Sequence, residues 1–230
     1  MRRKNAWTTY NKKQLDELEK LCKNYLKFLD KGKTERECVK QIVKQAEEKG
    51  YVNLADITKD KKALKAGDKV YSVCMDKTVA LFQIGKKKLE KGMNILGAHI
   101  DSPRMDVKQN PLYESEEFAY LDTHYYGGIK KYQWVTLPLA LHGVVVKKDG
   151  TVITVNVGED KNDPVFCVTD LLIHLAGEQM EKKANKVIEG ENLDVLVGSK
   201  PLEGKEKDAV KEGILEILKE KYDMTEEDFM

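Results

Sequence analysis

The strongest candidates for chemistry in this sequence are a histidine and an aspartate two positions apart, His99 and Asp101. They close the run Asn94–Ile100, which is mostly apolar and predicts a strand buried on both faces. Residues two apart in a strand point to the same side, so the two side chains would share a face at the strand's carboxyl end, where α/β sheets build their sites. An imidazole can bind zinc through one nitrogen while a carboxylate holds the other.

The same pair also has a plainer interpretation, a hydrogen-bonded pair at the protein surface. Catalytic zinc needs three protein ligands and an open position, and a two-metal hydrolase also needs a bridging carboxylate. No HExxH motif or other tight cluster of histidine, cysteine and glutamate occurs in the rest of the sequence. From the residues alone, both interpretations stay open.

The elements before the pair predict a helical scaffold. Apolar residues at helical spacing predict a first helix over 11–30, which Gly32 ends. Thr34 and Glu37 form a capping-box pattern, which predicts the start of a second helix that ends near Gly50.

A hairpin follows the helices. The β-branched and aromatic runs Val70–Met75 and Thr78–Ile84 flank Asp76 and Lys77, which predicts two strands joined by a two-residue turn. The order helix, helix, hairpin, buried strand indicates an α/β layered domain.

Beyond Pro103 the sequence becomes a long irregular stretch interrupted by glycine and proline. Val135–Lys147 and Thr151–Val157 then predict a second hairpin around an Asp-Gly turn. Leu171–Lys182 has helical spacing, and Ala209–Tyr222 predicts an amphipathic helix. We place a domain boundary where the pattern changes, close to Pro103.

Composition excludes some classes of function. Among 230 residues, 40 basic and 39 acidic side chains nearly cancel, so no global field would attract nucleic acid or an acidic membrane. No apolar stretch approaches the length of a membrane span, which predicts an unsecreted, cytoplasmic protein without a membrane partner. No CxxC pair occurs, so we expect the four cysteines to be reduced: Cys22, Cys38, Cys74 and Cys167.

The residues around the pair resemble a known family. Gly97–Lys108, with Asn110–Glu114 after it, is similar to the aspartyl aminopeptidase and vacuolar aminopeptidase I family of metallopeptidases, most of all its bacterial branch. Tyr125–Ile129 resembles the family's Tyr-Gly-Gly segment, and Leu137–Val146 resembles the strand that follows it. Asp170–Leu175 is similar to the family's short histidine-bearing segment.

The resemblance implies roles for three residues. His99 would be a ligand of one zinc ion, and Asp101 would be the carboxylate that orients it. His174 would reach from the inserted domain of one subunit into a neighbour's active site and help to stabilise the transition state. The family often has a second histidine four residues earlier, where this chain has Asp170. The family's remaining metal ligands and general base lie in the second half of its longer chain and cannot be placed here.

Three histidines and a tyrosine-rich stretch have structural interpretations from the residues alone. His142 and His174 lie among apolar residues and are typical of core or interface histidines, while His124 has no partner pattern. The tyrosine-rich stretch 113–132 favours an oligomer interface.

The predicted fold class is α/β. Residues 1–103 would form the first part of a three-layer α/β zinc-peptidase domain, and residues 104–230 a β-rich inserted oligomerisation domain. The C-terminal half of the peptidase domain would be absent.

The predicted function is that of a metalloaminopeptidase, a hydrolase that releases N-terminal residues from peptides. The resemblance implies two Zn²⁺ ions in each complete site, with Co²⁺ or Mn²⁺ as alternatives, and a homo-oligomer, typically a dodecamer. Because the ligand set is incomplete, this chain alone would bind zinc weakly and be inactive. The alternatives are a truncated folding or assembly fragment without catalysis and a non-catalytic binding module.

Overall fold

The computed structural model describes residues 4–228, and its contacts divide the chain after Asp101 into two compact units. The division falls two residues before Pro103, where the sequence pattern changes. The first unit contains three α-helices and three strands among its described residues: α1 (Lys12–Lys31), α2 (Glu35–Glu48), β1 (Val52–Asn53), α3 (Leu54–Lys59), β2 (Lys69–Cys74) and β3 (Thr78–Gln83).

Both long helices of the first unit are confirmed, with the predicted ends. Helix α1 ends at Gly32, where an added Cβ would lie only 2.9 Å from Cys38 Sγ, so the glycine lets the two helices approach closely. The capping box at the start of α2 is present. The backbone N–H of Glu37 donates to Thr34 Oγ1 (3.3 Å), and the backbone N–H of Thr34 donates to Glu37 Oε2 (2.9 Å).

The first unit contains a three-stranded sheet in the order β1-β2-β3, with β1 parallel and β3 antiparallel to β2. Val70 and Tyr71 of β2 are buried, and the Tyr71 hydroxyl donates to Glu47 of α2 (2.7 Å). That bond raises the pKa of Tyr71, because only the protonated hydroxyl can donate to the carboxylate and the bond is lost when the phenolate forms. The hairpin therefore packs on α2 as well as pairing within itself.

The turn of this hairpin differs from the prediction. Cys74 pairs with Thr78, so three residues rather than two join the strands. Met75 and Asp76 both adopt left-handed backbone conformations, at φ 51° and 56°. The prediction of a two-residue turn was wrong because the ladder begins one residue further from the turn.

The predicted strand Asn94–Ile100 was wrong. Residues 92–103 have no helix or strand, and within them Ile95 is 80% exposed and Leu96 fully exposed. An apolar run becomes a strand only where its backbone groups meet a partner. No strand in the described part of the chain pairs with this segment, so it does not form a strand despite its apolar composition.

The second unit is β-rich. Its α-helices and strands within the described residues are β4 (Arg104–Ser115), β5 (Phe118–Tyr126), β6 (Leu141–Val146), β7 (Val152–Val157), β8 (Cys167–Val168), α4 (Gly177–Met180), β9 (Val195–Gly198) and α5 (Ala209–Tyr222). Strands β4, β5, β9 and β8 form one sheet in that order, and β6 and β7 form a separate antiparallel hairpin.

Strands β4 and β5 correct the expectation of a long irregular stretch after Pro103. Their register shifts between Val107 and Leu112, where Asn110 takes a positive φ of 50°. Such a bulge interrupts the two-residue alternation that identifies a strand in a sequence. Pro111 at the same place adds a second interruption, and together they hid the strands.

The predicted helix over Leu171–Lys182 was also wrong. Only Gly177–Met180 is helical, and a turn precedes it in which the backbone N–H of Leu175 donates to Leu172 O (2.8 Å). Helical spacing indicated the apolar positions, but Leu172 and Leu175 are exposed rather than packed on one buried face. Without that packing a short helix gains little stability.

Helix α5 is confirmed, and so is the hairpin β6–β7, although its first strand begins at Leu141 rather than at the predicted Val135. Helix α5 packs on the sheet through Val210, Leu112 and Ala119. The carboxylate of Glu114 on β4 accepts from the backbone N–H groups of Val210 and Lys211 (2.9 and 2.8 Å), which satisfies two donors at the helix start. A second cluster joins the hairpin to the sheet: Val157, Phe166, Val168, Ile188, Leu193 and Val195.

Candidate metal-binding and catalytic residues

His99 and Asp101 are in direct contact. His99 Nδ1 lies 3.1 Å from Asp101 Oδ1 and 3.1 Å from the backbone oxygen of Asp101. Both neighbouring atoms are acceptors, so Nδ1 carries the proton and donates it. The lone pair of the neutral ring is then on Nε2, the atom that is free to coordinate a metal.

The surroundings of the pair leave that nitrogen accessible. The His99 side chain is 85% exposed and that of Asp101 37% exposed. The pair lies in the segment 92–103, which forms no helix or strand, and the carboxylate of Asp101 contacts the ring from one side. The arrangement suits a ligand that is oriented from one side and open on the other.

The described residues do not contain a complete metal site. No group of three or more histidine, cysteine, aspartate or glutamate side chains in residues 4–228 is placed to hold an ion. A catalytic zinc needs three protein ligands. His99 fits zinc as one nitrogen ligand with a carboxylate behind it, but the donor set as a whole does not.

His174 lies in the second unit, in an exposed turn before α4. Asp170 anchors that turn, since its Oδ1 accepts from the backbone N–H of Leu171 and from the side chain of Gln179, each at 2.8 Å. The imidazole is exposed. Four large apolar side chains beside it are 53–72% exposed: Leu171, Leu172, Ile173 and Leu175. The sequence interpretation of a buried core histidine therefore does not hold for the described structure.

A second histidine–carboxylate pair was not found from the sequence. His142 Nε2 on β6 lies 3.0 Å from Glu159 Oε1, in the loop after β7, and the histidine side chain is only 9% exposed. The loop is held by Asp163, whose Oδ2 accepts from the backbone N–H groups of Gly158 and Asp160. These bonds lower the pKa of Asp163 because they stabilise its charged form.

The tyrosine-rich stretch has internal roles in part. The Tyr113 hydroxyl donates to Asp194 Oδ2 (2.7 Å), and its ring stacks on Tyr120 at 5.4 Å between centroids. Burial, with the neighbouring carboxylate, raises the pKa of Tyr113 well above its usual range. Tyr125 and Tyr126 are partly exposed instead. The predicted oligomer interface can thus involve only some of these tyrosines.

Membrane insertion has no helical candidate in the described chain. Among residues 4–228, no helix combines the length and the apolar character that crossing a bilayer requires.

The relationship to known proteins identifies the family of this chain. A family model described as aminopeptidase I zinc metalloprotease (M18) matches residues 28–230. This chain belongs to the M18 family. The M18 resemblance carried by the residues around His99 is thereby confirmed, and so is the mixed α/β fold class, which matches solved M18 aminopeptidase structures.

Individual relatives agree. The chain is 60% identical over 228 residues to a probable M18 family aminopeptidase 1 of Clostridium acetobutylicum, covering 99% of this chain and 49% of that protein. The crystal structure of an M18 aminopeptidase from Thermotoga maritima superposes with a TM-score of 0.91 at 45% identity, covering 100% of this chain and 49% of that one. A structure described as an S. cerevisiae mApe1 dodecamer shares the fold alone, at 18% identity and a TM-score of 0.62, covering 93% and 47%.

The chain spans about half the length of the M18 relatives it matches. Membership of a zinc metalloprotease family of aminopeptidases is shown by the match. The activity of a whole M18 protein is a further step.

Proposed function

We propose that this chain carries the first part of the active site of a zinc-dependent aminopeptidase that removes N-terminal residues from peptides. The observation that carries the proposal is the His99–Asp101 contact at 3.1 Å in a chain of the M18 family. A ring with its Nδ1–H held by a carboxylate is the usual state of a metal-binding histidine. The high exposure of His99 supports this role over a purely structural one.

Each residue of the pair has a distinct task in this proposal. His99 Nε2 is one ligand of the zinc centre, and Asp101 fixes the tautomer and makes the ring a better donor. The further ligands and the general base come from the length of the M18 relatives that this chain does not span. In such a centre two ions supply an activated water and a polarised scissile carbonyl, with Co²⁺ or Mn²⁺ as possible substitutes for Zn²⁺.

The second unit, within residues 104–230, is proposed to mediate assembly, with His174 reaching the active site of a neighbouring subunit. The exposed turn that carries His174, surrounded by exposed apolar side chains, supports such a contact. The fold likeness to a structure described as a dodecamer supports a homo-oligomer. The four free cysteines suit a reducing compartment, which favours the cytoplasm.

Taken alone, the 230-residue chain is proposed to be inactive. Its described residues offer one exposed metal ligand with its supporting carboxylate and no cluster of three. The second candidate function, a folding or assembly fragment without catalysis, rests on this same incompleteness.

The proposal can be tested with a chimaera that joins this chain to the remaining half of the Clostridium acetobutylicum relative. We expect the chimaera to bind zinc and to hydrolyse amino-acid anilides, and His99→Ala to abolish both. His124→Ala is the matched control, because His124 is also exposed but lies on β5 without a carboxylate contact at its ring among the described residues. Unchanged zinc content and turnover in His99→Ala would show that the site assignment is wrong.

The role of His174 needs a test between subunits. In the chimaera, His174→Ala should lower the turnover rate while the zinc content stays unchanged. Co-expression of the His99→Ala and His174→Ala chimaeras should restore part of the activity, because mixed oligomers contain sites with both histidines. Mixed oligomers that form but remain inactive would contradict a contribution from the neighbouring subunit.

A further inference from the structure

The outer edge of strand β7 is an unprotected sheet edge. The hairpin β6–β7 is a two-stranded sheet, and within residues 4–228 no strand pairs with the other side of β7. Its sequence, Val-Ile-Thr-Val-Asn-Val, contains no charge, no proline and no glycine. Proteins normally protect an edge with such features or cover it, because an exposed uncharged edge pairs with another strand.

The hairpin ladder shows which backbone groups face outward. The backbone N–H of Lys147 donates to Thr151 O (2.8 Å), and this pair closes the three-residue turn in which Gly150 has a φ of 85°. Bonded and non-bonded pairs alternate along an antiparallel ladder. Val152, Thr154 and Asn156 therefore direct their N–H and C=O groups away from β6.

These outward groups are available for pairing. Apart from the hairpin's own ladder, the described residues provide no backbone or side-chain hydrogen bond to the main chain of Val152, Thr154 or Asn156. All three residues are also exposed, with Val152 at 60%, whereas Ile153 and Val155 on the other face are partly buried. The edge thus offers regularly spaced donors and acceptors together with an uncharged exposed face.

We propose that the β7 edge pairs with the β7 edge of a second copy of this chain, antiparallel about a two-fold axis at Thr154. This contact would join two β6–β7 hairpins into one four-stranded sheet. The inference deepens the assembly role proposed for the second unit and rests on it.

The geometry favours a second copy because the edge is complementary to itself. With Thr154 opposite Thr154 of the partner subunit, Val152 lies opposite the partner's Asn156, so every outward-facing residue meets another outward-facing residue. This register makes about six backbone hydrogen bonds. It keeps the exposed faces of both hairpins on one side, places two threonines in a favourable cross-strand pair and brings no like charges together. A two-fold contact of this kind is closed, because it uses the β7 edges of both copies and leaves no β7 edge unpaired.

A lysine at the axis tests the contact. Thr154→Lys places two ammonium groups directly opposite each other in the proposed dimer, so it should prevent pairing. Val146→Lys is the matched control. Val146 is 59% exposed on the neighbouring strand β6, so the same charge enters the same hairpin away from the axis.

A second variant separates pairing from folding. Thr154→Pro removes an N–H that points outward, so the ladder between β6 and β7 keeps its own bonds while the edge loses a donor at the axis. Circular dichroism and thermal melting of each variant would confirm that the second unit is folded.

The measurement is the mass of the 230-residue chain by light scattering and analytical ultracentrifugation over a concentration series. We expect the unmodified chain and Val146→Lys to be dimeric or larger. For both Thr154 variants we expect the dissociation constant of the dimer to rise by at least about tenfold. An oligomer unaffected by either Thr154 variant would overturn the edge contact while leaving the proposed assembly role intact. An unmodified chain that stays monomeric throughout would overturn the edge contact too. Aminopeptidase activity of the chimaera is measured separately, so failure of the enzymatic proposal is distinguishable from both results.

Discussion

The two units each contain a histidine–carboxylate pair of almost the same length, but in opposite surroundings. His99 and Asp101 are 3.1 Å apart with the ring 85% exposed, while His142 and Glu159 are 3.0 Å apart with the ring 9% exposed. The first pair uses Nδ1, which leaves Nε2 directed away from the backbone, whereas the second pair uses Nε2 itself. The two pairs therefore differ in the exposure of the histidine and in the nitrogen that contacts the carboxylate, rather than in distance.

The two pairs also differ in the parts of the chain that bring the histidine and the carboxylate together. His99 and Asp101 are two residues apart in the sequence, so the contact needs no other element. The contact of His142 with Glu159 needs the β6–β7 hairpin and the loop after it, and Asp163 holds that loop through the backbone of Gly158. The exposed pair forms within one segment, whereas the second pair, in which only the histidine is largely buried, joins two elements of the fold.

The largest expected contrast is in metal affinity. In the chimaera, Asp101→Asn should weaken zinc binding by about 10- to 100-fold, because an amide holds the ring direction less well and no longer makes it more basic. Glu159→Gln, the equivalent change at the His142–Glu159 pair, should leave zinc affinity unchanged. Competition with a chelating dye would measure both. Equal affinities in Asp101→Asn and the unmodified chimaera would remove the distinction between the two pairs.

The next contrast is in stability. His142→Ala should lower the free energy of unfolding of the 230-residue chain by about 2 kcal/mol, since it removes a largely buried ring and leaves a cavity. His99→Ala should change it by less than about 0.5 kcal/mol, because the ring is exposed. Urea denaturation followed by circular dichroism would compare them. A larger loss for His99→Ala than for His142→Ala would reverse the structural assignment.

The smallest expected effect concerns the loop that carries Glu159. The pKa of Asp163 is lowered in the folded chain, so its charged form adds stability at neutral pH that is lost as the pH falls below about 4. Asp163→Asn should reduce this loss, giving a flatter decline of melting temperature between about pH 6 and pH 3. Asp16→Asn, on the exposed surface of α1, is the control. Identical acid profiles for Asp163→Asn and the unmodified chain would show that the loop bonds contribute nothing.

The parts of the fold that the sequence predicted depend on local interactions. The capping box of Thr34 and Glu37, the end of α1 at Gly32 and the amphipathic pattern of α5 are all settled within a few residues of chain. The parts that it mispredicted depend on distant partners. Asn94–Ile100 has the composition of a buried strand but pairs with no partner strand among the described residues. Strand β4 was not predicted because its bulge interrupts the alternation of side chains along the strand.

The same distinction applies to the candidate site. The His99–Asp101 contact could be predicted because a spacing of two residues brings the side chains together locally. The exposure of the turn around His174 could not, since it depends on the short α4 and on the anchoring of Asp170. The pair of His142 and Glu159 left no sequence signal, because a loop and a hairpin separate its members.

The most direct test of the central claim compares zinc content and amino-acid anilide hydrolysis of the 230-residue chain and the chimaera, purified in parallel. We expect the chimaera to bind zinc and to be active, and the chain alone to retain little zinc and to show no hydrolysis, because His99 and Asp101 are only part of the proposed site. Hydrolysis by the chain alone that disappears with a chelator and in His99→Ala would contradict this claim.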